Sequence, residues 1–284
     1  MDDLVSIEWL TREAPADLVI LDATYLPFEP ERDAAAEYRA GHIAGARFLD
    51  LASLVDPASS LPATVPPLAT FRARMAALGV RRTAPILLYD DSPHHTSARA
   101  WWLLRLYGAT RVALLDGGLA AWRAAGRPLA TGASPDRAIS PDETDFTARD
   151  AALLVSLEAM RAAQAAGDRP IVDARGRPRF SGAEADPRPG VAPGHMPGAV
   201  NLPYGQLFAA DGRWHAPEAL AAAFAAAGVD PRAPAIFTCG SGITAAGLMF
   251  AAHLLGGGAG QALYDGSWSE WGSLADTPKQ VDAA

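Results

Sequence analysis

The sequence predicts an α/β protein made of two copies of one domain, each a parallel sheet flanked by helices. Three observations predict it. The chain repeats itself at long range: "VILDATYL", "GHIAGARFLDL", "PILLYDDS" and "LLDGGLAAW" are answered in the same order by "PIVDARGR", "GHMPGAVNLPY", "AIFTCGSG" and "LYDGSWSEW". The spacing settles at 149 residues in the later blocks, pairing Asp116 with Asp265 and Trp122 with Trp271, so the repeat is a whole domain rather than a solenoid unit. Short apolar runs alternate with helical stretches, the order expected of a parallel sheet covered by helices. The length, 284 residues, is about that of two domains.

Taken in order, "VILDA" and "PILLYD" are short apolar runs of the kind that form buried parallel strands. "SARAWWLLRLYG" has helical length and ends on Gly108. "PLATGASPDRAISPDETDF", residues 128–146, is rich in Pro, Ser, Thr and Asp and lacks apolar periodicity, which marks a linker. The expected boundaries are a first domain over 1–135, a linker over 136–146 and a second domain over 147–284. In the second half the strand "AIFT" leads through a glycine-rich turn into "TAAGLMFAAHLLGGG", a helix apolar nearly all round and therefore expected to be buried. Sheets of this kind take ligands at the carboxyl ends of their strands, where Cys239 stands.

With half of its residues hydrophobic and a fifth charged, the composition is that of a globular protein. A net charge of −8 argues against nucleic acid or an anionic membrane as the main partner, since both need a basic face. The opening "MDDLVSIEWL" has no basic stretch before an apolar one, and no window supplies the roughly 18 apolar residues of a membrane span. A soluble, cytoplasmic protein is the expectation. One cysteine makes neither an internal disulfide nor a cysteine-based zinc site, which leaves Cys239 packing or reactivity as its work. Of the basic residues only Lys279 is lysine, and Arg169, Arg175, Arg177, Arg179 and Arg188 crowd one stretch. The general expectation for such arginines is a solvated surface.

The turn "CGSGIT" bears on that choice. A loop entering a helix N-terminus turns several backbone N–H groups inward, and the helix dipole adds positive charge there. Gly240 and Gly242 tolerate the positive φ and close approach that such a cradle needs. A thiol held there is expected to give up its proton more readily than an ordinary cysteine and to act as a nucleophile. The opposing reading is a small buried core cysteine followed by a simple turn. By the repeat spacing, Cys239 answers to Asp90 in the first half, so only one copy carries a thiol.

"CGSGIT", "YDGSWSEW", "GHMPGAVNLP" and the paired "GHIAGA" and "LDGGLAAW" together resemble the tandem-domain rhodanese family, over nearly the whole chain. The resemblance implies two rhodanese-like domains, the C-terminal one active and the N-terminal one a silent copy. Within that family, Cys-Arg-Lys-Gly-Val-Thr loops mark thiosulfate sulfurtransferases and Cys-Gly-Ser-Gly-Val-Thr loops mark 3-mercaptopyruvate sulfurtransferases. This loop is similar to the second, with Ile243 in place of Val. "GRPRFSGAEADPRPG" resembles the stretch in which two arginines, here Arg179 and Arg188, grip the donor's carboxylate and ketone. For Arg175 and Arg177 the surface remains the expectation.

The resemblance implies the following chemistry. Cys239 takes sulfur from 3-mercaptopyruvate as a persulfide, pyruvate leaves, and a thiol acceptor, with thioredoxin as a candidate, or cyanide receives the sulfur. No metal and no organic cofactor is required. The N–H groups from Gly240 through Gly242 and Ile243 to Thr244 would stabilise the sulfur centre. Ser241 is a candidate proton relay or a plain loop former, and the Thr244 hydroxyl is a candidate to bond the sulfur or tie the loop. Some relatives use a first-domain Asp and His as a relay; Ala52 and Ala63 stand at those places, so none is assigned. His42 and His195 in the twin Gly-His turns are expected to be structural, His253 to lie on the buried helix, and His94 and His95 to be solvated. The alternatives are a thiosulfate:cyanide sulfurtransferase, a non-enzymatic interaction module with an incidental thiol, and a phosphatase. The phosphatase needs an arginine closing a longer Cys-x5-Arg loop, and residue 245 is Ala.

Overall fold

The computed structural model describes residues 1–282; residues 283 and 284, which end the expected second domain, lie outside the described residues. Chain contacts divide it into two compact units. The first comprises Met1–Pro57, Val65–Asp150 and Ala209–Trp214, and the second Ala58–Thr64, Ala151–Phe208 and the chain from His215 onward.

The first unit runs β1 (Leu4–Val5), α1 (Ile7–Arg12), β2 (Val19–Asp22), α2 (Ala34–Ala40), β3 (Arg47–Phe48), α3 (Leu68–Ala77), β4 (Ile86–Tyr89), α4 (Ser97–Leu106), β5 (Val112–Leu115) and α5 (Gly118–Ala124). The second repeats it as β6 (Leu154–Val155), α6 (Leu157–Ala166), β7 (Ile171–Asp173), α7 (Arg177–Ser181), β8 (Val200–Asn201), α8 (Pro217–Ala226), β9 (Ala235–Thr238), α9 (Ala245–Leu254), β10 (Gln261–Tyr264) and α10 (Ser267–Trp271). The sheets have the orders β1-β5-β4-β2-β3 and β6-β10-β9-β7-β8. Every strand pairing in them is parallel, so each unit is the α/β layer structure that the alternation predicts. The middle strands are β4 and β9, and Asp90 and Cys239 are the residues that directly follow them.

The two units are also started alike. Ser6 caps α1 by accepting from the Trp9 N–H at 3.2 Å, and Ser156 caps α6 by accepting from the Ala159 N–H at 3.2 Å. Each cap satisfies an orphan donor and stabilises its helix by about 1 kcal/mol. His42 and His195 are buried, bonded through Nδ1 to the carbonyls of Tyr38 and Phe180 and stacked on those rings, which makes both structural as expected. Residues 245–252 of α9 are all buried, and α4 is buried over most of its length. Among the described residues no helix is long and apolar enough to cross a membrane.

The stretch 128–146 packs on the first unit. Gly79, at φ +64, comes so close to the Arg137 carbonyl that a Cβ there would sit 2.1 Å from its oxygen. Ile139 donates its N–H to Ala76, and the fully buried Phe146 stands edge-on to Phe71.

Next to the middle strands, the copies differ in one buried charge. At the end of β7, Asp173 holds Arg175 by three contacts of 2.7 to 3.2 Å, and Arg175 also donates to the Gly194 carbonyl at 2.9 Å. Arg175 is thus buried, not solvated as the sequence led us to expect, because its guanidinium is neutralised and hydrogen-bonded beneath the surface. Arg177, two residues on, is exposed as expected. At the end of β2 the equivalent acid, Asp22, has Thr24 where the other copy has Arg175. Its carboxylate accepts from the Thr24 hydroxyl at 2.6 Å and the Thr24 N–H at 3.0 Å. Burial without a cation pushes the Asp22 carboxyl up to about 6.

That shift sets a pH dependence. Because the folded value lies above the ordinary 3.8, the contribution of Asp22 to stability is fully present below about pH 4 and is lost as pH rises through about 6. Asp22→Asn is therefore expected to raise Tm relative to wild type progressively between pH 4 and 7, a gain worth at most roughly 3 kcal/mol. A difference in Tm that is constant over that range would contradict the assignment.

Candidate active site

β9 delivers Cys239 to the carboxyl edge of the sheet, where the chain turns and enters α9. Gly242, at φ +78, turns its N–H back onto the Cys239 sulfur at 3.1 Å. A β-branched residue would resist that backbone, which is why glycine is needed at this position. The ten residues of α9 then aim the positive end of their dipole at the loop. Cys239 itself is 1% exposed.

The turn before α10 fixes the loop from the other side. Trp268 and Ser269 donate their N–H groups to the carbonyls of Cys239 and Gly240 at 3.0 and 2.9 Å. The Cys239 N–H reaches the Ser267 hydroxyl at 3.4 Å, and that hydroxyl donates to the Tyr264 carbonyl at 2.9 Å. Ser267 occupies φ +52, a costly setting for a non-glycine residue that these bonds hold in place. Arg175 lies over the Trp268 ring at 4.5 Å, so the buried Asp173 ion pair also supports this turn.

The first unit has the same cradle with a different occupant. The Asp90 carboxylate accepts N–H bonds from Ser92 at 3.0 Å and from Ser97, at the start of α4, at 2.8 Å. Leu119 donates its N–H to the Asp90 carbonyl at 3.0 Å, as Trp268 does to Cys239. In one copy the donors meet a fixed carboxylate; in the other they meet a thiol.

The expected arginines lie beside the loop. Arg188 donates Nη1 to the Gly240 carbonyl at 2.6 Å. A Cβ on Gly240 would stand 2.9 Å from Arg188 Nη2 and 3.3 Å from Arg179 Nη2, so the missing side chain is what lets both guanidinium groups close over the loop. Between them is an acid that the sequence reading passed over. Asp186 binds Arg179 at 2.6 Å and Arg188 at 2.8 and 2.9 Å, and its side chain is 1% exposed. Burial pushes its carboxyl up, but the bonds from Arg188 and Arg179 outweigh burial and hold it below the usual aspartate value. The available signal was the Asp-Pro-Arg sequence itself, in which an acid is spaced to fold back on its own arginine.

Cys239, Gly240, Gly242, Arg179 and Arg188 are thus brought together. Ser241 is buried within the loop, and Ile243 buries its side chain, leaving its backbone as what it can offer a ligand. Thr244 is the N-cap residue of α9 and makes no side-chain capping bond. His94 and His95 are not solvated. Both are partly buried, His94 lies 3.4 Å from Glu29 and edge-on to Phe28, and burial lowers both imidazoles below their ordinary value.

Comparison with known proteins agrees with this fold. The rhodanese-like domain family matches twice, over residues 7–125 and 156–274. The 3-mercaptopyruvate sulfurtransferase of Escherichia coli (strain K12) is 36% identical over 277 residues, covering 96% of each chain. A thiosulfate sulfurtransferase of Gallus gallus is also 36% identical, over 94% of this chain and 92% of that one. The crystal structure of SseA from Escherichia coli superposes with a TM-score of 0.82 at 34% identity, covering 95% of this chain and all of the other. With two matching domains, one thiol cradle and one carboxylate-filled copy, the chain belongs to the rhodanese family.

Proposed function

We propose that the protein is a 3-mercaptopyruvate sulfurtransferase in which residues 147–284 carry the chemistry and residues 1–135 form a silent copy joined by 136–146. The observation that carries this reading is the uncharged Cys239-Gly240-Ser241-Gly242 loop flanked by Arg179 and Arg188, which share a single acid. Relatives of similar identity carry both donor names, so the charge at the loop decides between them.

The Cys239 thiolate attacks the sulfur of 3-mercaptopyruvate. The carbon–sulfur bond breaks, its electron pair leaves with carbon as the enolate of pyruvate, and the sulfur stays on Cys239 as a persulfide. The substrate's thiol proton ends on the enolate carbon, with Ser241 as the candidate relay. The Gly242 N–H and its loop neighbours stabilise negative charge on sulfur, while Arg179 and Arg188 bind the carboxylate and the developing enolate oxygen. An acceptor thiolate, with cytoplasmic thioredoxin as the candidate, or cyanide then attacks the outer sulfur and restores the Cys239 thiolate. Ile243 and Thr244 contribute backbone to the loop. The chemistry uses no metal and no organic cofactor.

A steady-state comparison of 3-mercaptopyruvate with thiosulfate, cyanide being the common acceptor, tests the donor. The proposal requires the larger kcat/KM with 3-mercaptopyruvate. Cys239→Ser is expected to abolish transfer from either donor and the gain of one sulfur atom in intact mass seen with wild type, because a hydroxyl cannot hold the persulfide. Substantial turnover by a folded Ser variant would sink the mechanism.

The three arginines are expected to part company. Arg188→Ala and Arg179→Ala each remove a charge-assisted contact and should lower kcat/KM for 3-mercaptopyruvate by roughly ten- to a hundredfold, whereas the exposed Arg177→Ala should leave it unchanged. Arg175→Ala strands the buried Asp173 charge and should cost roughly 3 to 5 kcal/mol of stability, seen as a fall in Tm. Equal losses of activity from Arg177→Ala and Arg188→Ala would mean that general surface charge, not a clamp, attracts the donor.

A further inference from the structure

Two guanidinium groups beside the Cys239 loop share one buried carboxylate. Asp186 is enclosed to 1% exposure while Arg179 and Arg188 keep 22% and 23%, so the acid faces inward and the arginines keep donors toward solvent. Arg179 Nε is buried with no hydrogen-bond partner. Bonds from both arginines keep the carboxyl ionised. Two cations and one anion leave a net charge of +1 at this edge of the loop. From Gly240 to Thr244 the loop adds no side-chain charge.

We propose that Asp186 is a specificity-determining residue: by cancelling one of the two arginine charges it fits the site to a monocarboxylate sulfur donor and disfavours a dianionic one such as thiosulfate. The inference rests on the reading of Arg179 and Arg188 as the donor's clamp. Its physics is a competition between attraction and desolvation. Attraction to the site grows linearly with ligand charge, whereas the Born cost of leaving water grows with its square. A site of +1 therefore attracts a dianion twice as strongly as a monoanion but faces about four times the desolvation cost. Removing the Asp186 charge adds one positive charge, whose attraction for the dianion is twice that for the monoanion. Asp186 also positions both guanidinium groups, so its loss should slow both donors; the change in their ratio is what a purely structural role does not supply.

The test compares wild type with Asp186→Asn, close in shape but neutral, Asp186→Ser, smaller and neutral, and Asp186→Glu, which keeps the charge. For each, kcat/KM is measured for thiosulfate and for 3-mercaptopyruvate with cyanide as acceptor, at low and high salt. The thiosulfate to mercaptopyruvate ratio should rise about tenfold or more in the neutral variants, stay within about twofold of wild type in Asp186→Glu, and the rise should shrink as salt screens the added charge. A ratio that stays put in the folded neutral variants, or climbs equally in Asp186→Glu, overturns the proposal. Wild type supplies an arm that needs no variant. Oxamate, a monoanion, should inhibit mercaptopyruvate turnover at lower concentration than the similarly shaped dianion oxalate, and the reverse order would also overturn the proposal. Failure of wild type to turn over 3-mercaptopyruvate at all would instead sink the donor reading, separately from the role of Asp186.

Discussion

The N–H cradle at the end of the middle strand is the constraint on which the rest of the second unit depends. A parallel sheet sends its middle strand into a helix N-terminus, and the turn between them leaves backbone donors that need an acceptor. In one copy Asp90 fills that need with a carboxylate fixed by Ser92 and Ser97. In the other the Gly242 N–H points at the sulfur of Cys239, and a bond of this kind is stronger to a thiolate than to a thiol. The fold supplies the donor cradle twice, and a single residue decides whether a carboxylate or a sulfur fills it. Holding the cradle open requires the α10 turn, with Ser267 in a costly backbone setting and Trp268 under Arg175.

Charge is treated differently on the two sides of Cys239. Beneath it, the Asp173–Arg175 pair is complete and buried, so it presents no charge to a ligand and serves the turn above it. Beside it, Asp186 neutralises only one of two arginines, which leaves a positive charge available near the surface. The first unit lacks the first arrangement. Thr24 in place of an arginine leaves the buried Asp22 hydrogen-bonded but not neutralised.

The duplication was legible because turn residues and strand ends recur in order, and they recur because both copies must build the same caps, turns and sheet. Cys239 was legible as the single thiol in a turn that requires glycine. Asp186 was not, because its contact with Arg179 depends on α7 stopping at Gly182, φ +86, which folds the following loop back over the helix. Local pattern cannot report that return. The burial of Arg175 was hidden for a similar reason: the ring it covers belongs to Trp268, on a distant element. Setting "LDAT" against "VDAR" does reveal that the copies differ at this place, though not that the arginine points inward.

The rate at which iodoacetamide alkylates Cys239 at neutral pH, compared between wild type and Gly242→Ala, tests the cradle most directly. Alanine resists φ +78 and should turn the N–H away from the sulfur, so that the attacking sulfur loses a hydrogen bond that favours its negative charge. The account predicts alkylation slower by about three- to tenfold in a variant that remains folded. An unchanged rate would contradict it and place the activation of Cys239 outside its own loop.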